Sequence, residues 1–245
     1  MERIPNLQEI IRNFSTVICD FGQGQLSADE FLFEILFSRQ GISMITIVDY
    51  GMGNLGSIQN MLKRIGVPCC VTGELEAISK AEKIILPGVG AFDAAMCRIG
   101  ERNGLRGVLD QKALVEKIPL LGVCLGMQLL TGSSEEGNLL GLNWIPGKAS
   151  RFPIQESLKV PHMGWNIAQP TKLTDLTKDL SKGSRYYFVH SYFVTVEDKS
   201  NSIMRTNYGI EFDSAIEREN IFGVQFHPEK SHRFGMQILK NFSKL

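Results

Sequence analysis

No apolar run in this chain approaches the roughly 18 residues that a helix needs to cross a bilayer, so nothing supports a membrane span. Charge of one sign is not in surplus: 26 Lys and Arg face 26 Asp and Glu, for a formal net charge of zero. Binding nucleic acid by neutralising phosphates needs a basic excess, and that class is excluded. The opening residues, MERIPNLQEIIRNF, lack the basic segment and apolar block of a secretory signal. Cysteines are few, and their odd count of five at irregular spacing is no disulfide framework. No CxxC pair or His/Cys cluster has zinc spacing, and the four histidines are scattered. GMGN after the first apolar run is not G-x-G-x-x-G, and no acidic ribose ligand accompanies it. These absences imply no metal and no nucleotide or flavin cofactor, in a cytoplasmic protein with reduced thiols.

What is present is an ordinary globular composition, 43% hydrophobic and 21% charged over 245 residues, enough to bury a sizeable core. The texture changes near Met44. Before it, Leu7, Ile10, Ile11 and Phe14 fall at helical spacing, and Ser27 with Glu30 forms a capping box ahead of FLFEILF. Residues 1–43 read as a helical extension; if they are ordered, Leu36 and Phe37 are expected to be buried. From Met44 onward, MITIVDY, PCCVTG, KIILPG and PLLGVC read as short strands buried on both faces, with helical intervals such as 55–65. After about residue 150 the period becomes two, in RYYFVHSYFVTV, SIMRTN, GIEFDSAIERE and IFGVQF, and a last helix covers 232–243. The fold class expected for residues 44–245 is α/β: a flavodoxin-like doubly wound mixed sheet whose C-terminal half is antiparallel and joined to the first sheet.

The chemistry is concentrated at strand ends. In PLLGVCLGMQLL an apolar strand runs through Gly122-Val123-Cys124-Leu125-Gly126 straight into a helical pattern. Small residues two positions either side of a nucleophile permit the sharp strand-to-helix elbow of G-x-S-x-G hydrolases, and a helix start favours thiolate. A thiolate used for acyl transfer needs a proton acceptor and a group that orients it. The candidates are His162, His190, His227 and His232; His227 sits at the end of a buried-type strand (221–226) with a carboxylate, Glu229, two residues on, and paired with the elbow it is preferred. Oxyanion donors are expected from the Leu125 amide and from Val89 and Gly90 in PGVG. Ligands in such sheets bind outside the carboxyl ends of strands.

These motifs together, IVDYGMGNLGS (47–57), PGVGAF (87–92), GVCLGMQLL (122–130), PHMGWN (161–166), YYFVHSYF (186–193) and GVQFHPEKS (223–231), resemble the class I glutamine amidotransferases. More narrowly, PGVG with PHMGWN and VHSY is similar to the glutaminase subunits of imidazole glycerol phosphate synthase. The resemblance implies hydrolysis of L-glutamine to glutamate and ammonia through a thioester on Cys124, with His227 as acid and base and Glu229 orienting it. It implies a substrate pocket from Gly88, Gln128, Glu136, Ser191 and Tyr192, and a conformational switch at the Val89 amide. It also implies a (β/α)₈ cyclase partner that receives the ammonia and forms imidazole glycerol phosphate in histidine biosynthesis. Asn54, Trp165, Tyr187 and Lys230 match the family's partner-facing, ammonia-gating set.

Two other readings stand beside this one: a paralogous glutaminase that feeds a different acceptor, such as a surface-polysaccharide amidation enzyme, and a catalytically silent flavodoxin-like binding module. Residues 1–43 match nothing in the family. They read either as a translated upstream segment or as an added helical pair packed on the glutaminase or its partner.

Overall fold

The computed structural model describes residues 43–154 and 158–245. The expected helical extension in residues 1–43 lies almost wholly outside them. The apolar stretch after Met44 forms strand β1 (Ile45–Val48), and alternation with helices follows: α1 (Leu55–Arg64), β2 (Cys69–Thr72), α2 (Leu75–Ser79), β3 (Lys83–Gly88), α3 (Phe92–Glu101) and α4 (Leu105–Asp110). A π-helical turn (Gln111–Val115) leads to β4 (Leu120–Cys124) and the five-residue helix α5 (Leu125–Leu129). The second half is almost all strand: β5 (Ser133–Ser134), β6 (Gly147–Arg151), β7 (His162–Ile167), β8 (Gln169–Pro170), β9 (Arg185–His190), β10 (Tyr192–Val196), β11 (Ser202–Tyr208), β12 (Ile210–Arg218) and β13 (Ile221–Val224). Helix α6 (His232–Ser243) closes the chain.

The main sheet has the order β2-β1-β3-β4-β13-β12-β10-β6-β5, and β11 pairs with both β12 and β8. Strands β2, β1, β3, β4 and β13 are mutually parallel; the antiparallel part begins where β13 meets β12. Side chains of the parallel strands alternate between two apolar layers, which is why these runs are mostly apolar. Ile45, Ile47 and Val123 pack with Leu62, Ile238 and Phe242 from α1 and α6. Val48, Ile84 and Leu86 pack with Phe92, Ile99 and Leu109 from α3 and α4 on the other face.

Two boundaries differ from the sequence expectation. Strand β13 stops at Val224, not Phe226, although the Gln225 amide still donates to Ser214 O at 2.9 Å. In addition β7 and β9 do not join the main sheet: they form a ribbon of their own, with His162 opposite His190 and Trp165 opposite Tyr187. The ribbon is tied back by Tyr187, whose carbonyl accepts the His227 amide at 2.9 Å.

Helix α5 lies so close to β3 that only glycine fits at the contact. A Cβ on Gly126 would stand 2.0 Å from Leu86 O, and one on Gly122 would stand 2.7 Å from the Gly126 carbonyl. Gly126→Ala is therefore expected to destabilise the fold by about 3 kcal/mol or more in chemical denaturation. Gly56→Ala, in α1 with open space around its Cα, should instead be neutral or stabilising by about 0.5–1 kcal/mol. Equal effects of the two substitutions would contradict this packing.

Candidate active site

Strand β4 delivers Cys124 at the point where it turns into α5. The residue adopts φ 55°, ψ −108°, a left-handed conformation that L-residues other than glycine rarely adopt. The turn lifts the side chain out of the sheet while Gly122 and Gly126 allow the chain to pass beneath Leu86 O. The Sγ atom lies 3.9 Å from Val189 O and 3.9 Å from Gln225 Nε2. Helix α5 is a single short segment, so its dipole is a smaller aid to a thiolate than the sequence pattern suggested.

Strand β13 and the turn after it deliver the second group. His227 Nδ1–H donates to Glu229 Oε1 at 2.8 Å, and both side chains are almost fully buried, 3% and 1% exposed. Pro228 starts the 3₁₀ turn Pro228–Lys230 that carries Glu229 back under the ring. Ser231 Oγ donates to His227 O at 2.6 Å and accepts the Tyr187 amide at 2.9 Å, which fixes the histidine backbone. With Nδ1 engaged, Nε2 is the free ring atom; it is buried and has no conventional hydrogen-bond partner. Burial by itself would lower the proton affinity of this ring. Interaction with Cys124 and with Glu229 outweighs burial and lifts its pKa to about 10.

A cleft of about 330 Å³ opens over these groups. Of the residues singled out in the sequence, Cys124, His227, Val89, Gly90, Leu125, Gln128, Glu136, Ser191, Tyr192 and Lys230 all line it. Gly90 has φ +103°, and Val89 beside it is 42% exposed, whereas Pro87 is held by the Tyr50 hydroxyl, which donates to its carbonyl at 2.7 Å. Glu136 Oε2 accepts the Phe92 amide at 2.8 Å, joining its loop to the start of α3. Gln128 Nε2 donates to Tyr192 O at 3.1 Å and to Gln225 Oε1 at 3.2 Å.

Not every expected residue faces the cleft. Gly88 does not: its Cα is in register with that of Cys124, and a Cβ there would meet the Gly126 nitrogen at 2.9 Å. Its place is under the elbow. Trp165 is 44% exposed; it stacks on His232 at 5.4 Å and meets Tyr187 edge-on at 6.2 Å. Lys230 Nζ lies 5.8 Å over the Tyr187 ring, so Trp165, Tyr187 and Lys230 form one patch beside the cleft. Asn54 is exposed at the start of α1 and makes no side-chain cap there. Pro161, Val189 and His190 also line the cleft, and Gln225 reaches the sulfur from behind. Gln225 was accessible in principle, since it stands two residues before His227 and alternation returns it to the same side.

The family model described as glutamine amidotransferase class-I matches residues 46–245. This chain is a class I glutamine amidotransferase. Among curated relatives it is 54% identical over 201 residues to imidazole glycerol phosphate synthase subunit HisH 2 of Methanococcus maripaludis, a match covering 82% of this chain and 99% of that one. It is 47% identical over 205 residues to the HisH subunit of Bdellovibrio bacteriovorus, covering 82% and 100%. Of solved structures, PurLQS from Thermotoga maritima superposes with a TM-score of 0.62 at 18% identity, over 83% of this chain and 98% of that chain. A likeness of that degree concerns the fold of the amidotransferase, the mixed sheet included.

The raised His227 value has a stability consequence. The folded-state pKa lies above the ordinary 6.5, so the stabilisation is fully present below that pH and is lost as pH rises through about 10. The stability advantage of the wild type over Glu229→Gln should accordingly shrink between pH 6.5 and pH 10 in chemical denaturation. An advantage that stays constant across that window contradicts a charged His227–Glu229 contact.

Proposed function

We propose that this amidotransferase is the glutaminase subunit of an imidazole glycerol phosphate synthase, hydrolysing L-glutamine and passing the ammonia to a (β/α)₈ cyclase partner. The observation that carries this reading is the meeting of the strained Cys124 with the His227–Glu229 pair in one cleft, 2.8 Å separating ring nitrogen and carboxylate. In this reading the Cys124 sulfur attacks the side-chain amide carbon. Charge develops on the amide oxygen, where the Leu125 amide and the Val89–Gly90 segment supply donors. The imidazolium of His227 gives its proton to the departing nitrogen, and ammonia leaves a γ-glutamyl thioester behind. His227, now neutral, takes a proton from water; the resulting attack releases glutamate and restores the thiol system.

Glutamine is held by Gln128, Glu136 and the backbone at Ser191 and Tyr192. The amide of Val89, on the exposed side of the point pinned by Tyr50, is the part of the oxyanion site free to reorient. Ammonia released into bulk water protonates and loses its nucleophilicity, so a dry exit toward a docked partner is chemically required. The patch of Trp165, Tyr187 and Lys230 beside the cleft, with Asn54, serves as the docking and gating face. The names of the relatives support histidine biosynthesis as the setting, and no helix among the described residues is long and apolar enough to cross a membrane. The reading places the chain in the cytoplasm.

The test is glutamine turnover by the chain alone and in complex with a candidate cyclase. Turnover should rise on the order of 10–100-fold in the complex, and Cys124→Ala in the complex should lose on the order of 10³-fold or more. Fast hydrolysis without any partner, or activity that survives Cys124→Ala, contradicts the proposal.

A further inference from the structure

Two histidines that the hydrolysis does not use are buried against each other at the cleft, His190 in its wall and His162 behind it. His162 opens β7 and His190 closes β9, opposite one another in the ribbon, with His162 Nδ1 and His190 Nε2 3.0 Å apart. The direction of every proton in this contact follows from its two ends. The Tyr192 carbonyl can only accept, so His190 Nδ1 carries the proton at 2.7 Å. A neutral imidazole has one N–H, which leaves His190 Nε2 bare to accept from His162 Nδ1–H. His162 Nε2 is then bare in turn and accepts from Asn166 Nδ2 at 3.3 Å. Neutrality is supported by the surroundings. Burial drives His190 down to about 3; the Tyr192 carbonyl opposes this only in part, and His162 and His227 push it further down. Burial likewise lowers His162 to about 4. His162 is also sandwiched between Phe188 at 4.7 Å and Tyr208 at 3.9 Å, nearly parallel to both, so hydrogen bonds are open to it only in its own plane.

Packing alone does not ask for this arrangement, because a buried polar pair is costly unless every member is satisfied. Its far end explains its use. Tyr192 O, where the chain of donors stops, also accepts Gln128 Nε2 at 3.1 Å; Gln128 continues to Gln225, and Gln225 to the Cys124 sulfur. Its near end, Asn166, lies on β7 between the exposed Trp165 and Ile167, with its amide also held by Asn207 O at 3.0 Å. We propose that His162 and His190 are positioning residues: a one-way chain of neutral imidazoles that runs from Asn166 to the Tyr192 carbonyl and sets the glutamine pocket from the Trp165-bearing strand. The inference rests on the function proposed above for what the pocket holds, and adds to it the groups that hold the pocket.

Two substitutions separate positioning from packing. In His190→Asn the amide nitrogen takes the place of Nδ1 and keeps the donor to Tyr192 O. In His190→Gln the side chain reaches the Nε2 position toward His162, and that donor is lost. Assayed in the complex, His190→Gln should raise KM for glutamine about tenfold, the loss expected for one hydrogen bond, with kcat changed much less. His190→Asn should bring KM back to within about threefold of wild type at a melting temperature no higher than that of His190→Gln. Independently of any variant, ¹⁵N NMR of the wild-type rings without substrate should show both histidines protonated at Nδ1 and bare at Nε2 throughout pH 6–9. Equal KM values in the two variants, KM changes that merely follow melting temperature, or either ring protonated at Nε2 or titrating in that window would overturn the relay. A wild-type complex that does not hydrolyse glutamine overturns the proposed function instead, and the ring tautomers then decide the relay by themselves.

Discussion

The conformation of a single residue, Cys124 at φ 55°, sets the terms for everything around it. Holding a non-glycine residue there costs of order 1–3 kcal/mol and persists only where the surroundings over-determine it. Here they do: β4 is paired on both sides by β3 and β13, and α5 presses back on β3 so closely that Gly126 has no room for a Cβ. The same three strands end together. Where β4 lifts the sulfur, β3 ends in the PGVG segment and β13 leads to His227, so the proposed nucleophile, oxyanion donors and base share one rim because the strands that carry them are neighbours. Distance along the chain is irrelevant to this; parallel pairing is what converts residues 89, 124 and 227 into one site.

Around that rim the four imidazoles are treated in different ways, and the difference is electrostatic. His227 is buried beside a buried carboxylate and the Cys124 sulfur, and interaction with both favours its charged form against the desolvation that opposes it. His162 and His190 are buried among aromatic rings with only carbonyl and amide partners, and desolvation wins. His232 lies outside, stacked on Trp165. A charged ring is suited to moving protons, and neutral rings with fixed tautomers are suited to holding a backbone carbonyl still. The side chains are the same; the partners at each nitrogen decide the role.

Much of this was legible in the sequence, for local reasons. Runs such as KIIL and PLLGVC are apolar on both faces because both faces are covered, so β1, β3 and β4 could be read directly, and glycines flanking Cys124 marked the elbow. The His227–Glu229 contact is readable too, because a two-residue separation across Pro228 is a local constraint. The ribbon of β7 and β9 was not legible. PHMGWN carries a glycine and alternates weakly, and its pairing with a strand some twenty residues on is decided by His162 finding Phe188 and Tyr208, contacts no spacing reveals. Trp165, which a sequence reader could as easily place in a core, lies exposed for the same reason: it falls on the outer face of that ribbon. For Gly88 the family resemblance points to substrate, and the structure adds a packing reason that no spacing reveals: the residue lies beneath the elbow, where close approach requires glycine.

The central claim is that one thiol among the chain's cysteines is a nucleophile because of where the elbow holds it. The most direct measurement is acid-quenching of the complex during glutamine turnover, followed by peptide mass spectrometry of every cysteine. The account predicts a γ-glutamyl thioester on Cys124 alone, with Cys19, Cys69, Cys70 and Cys97 unmodified. Acylation of Cys97, or turnover of glutamine with no acyl group ever found on Cys124, would contradict it.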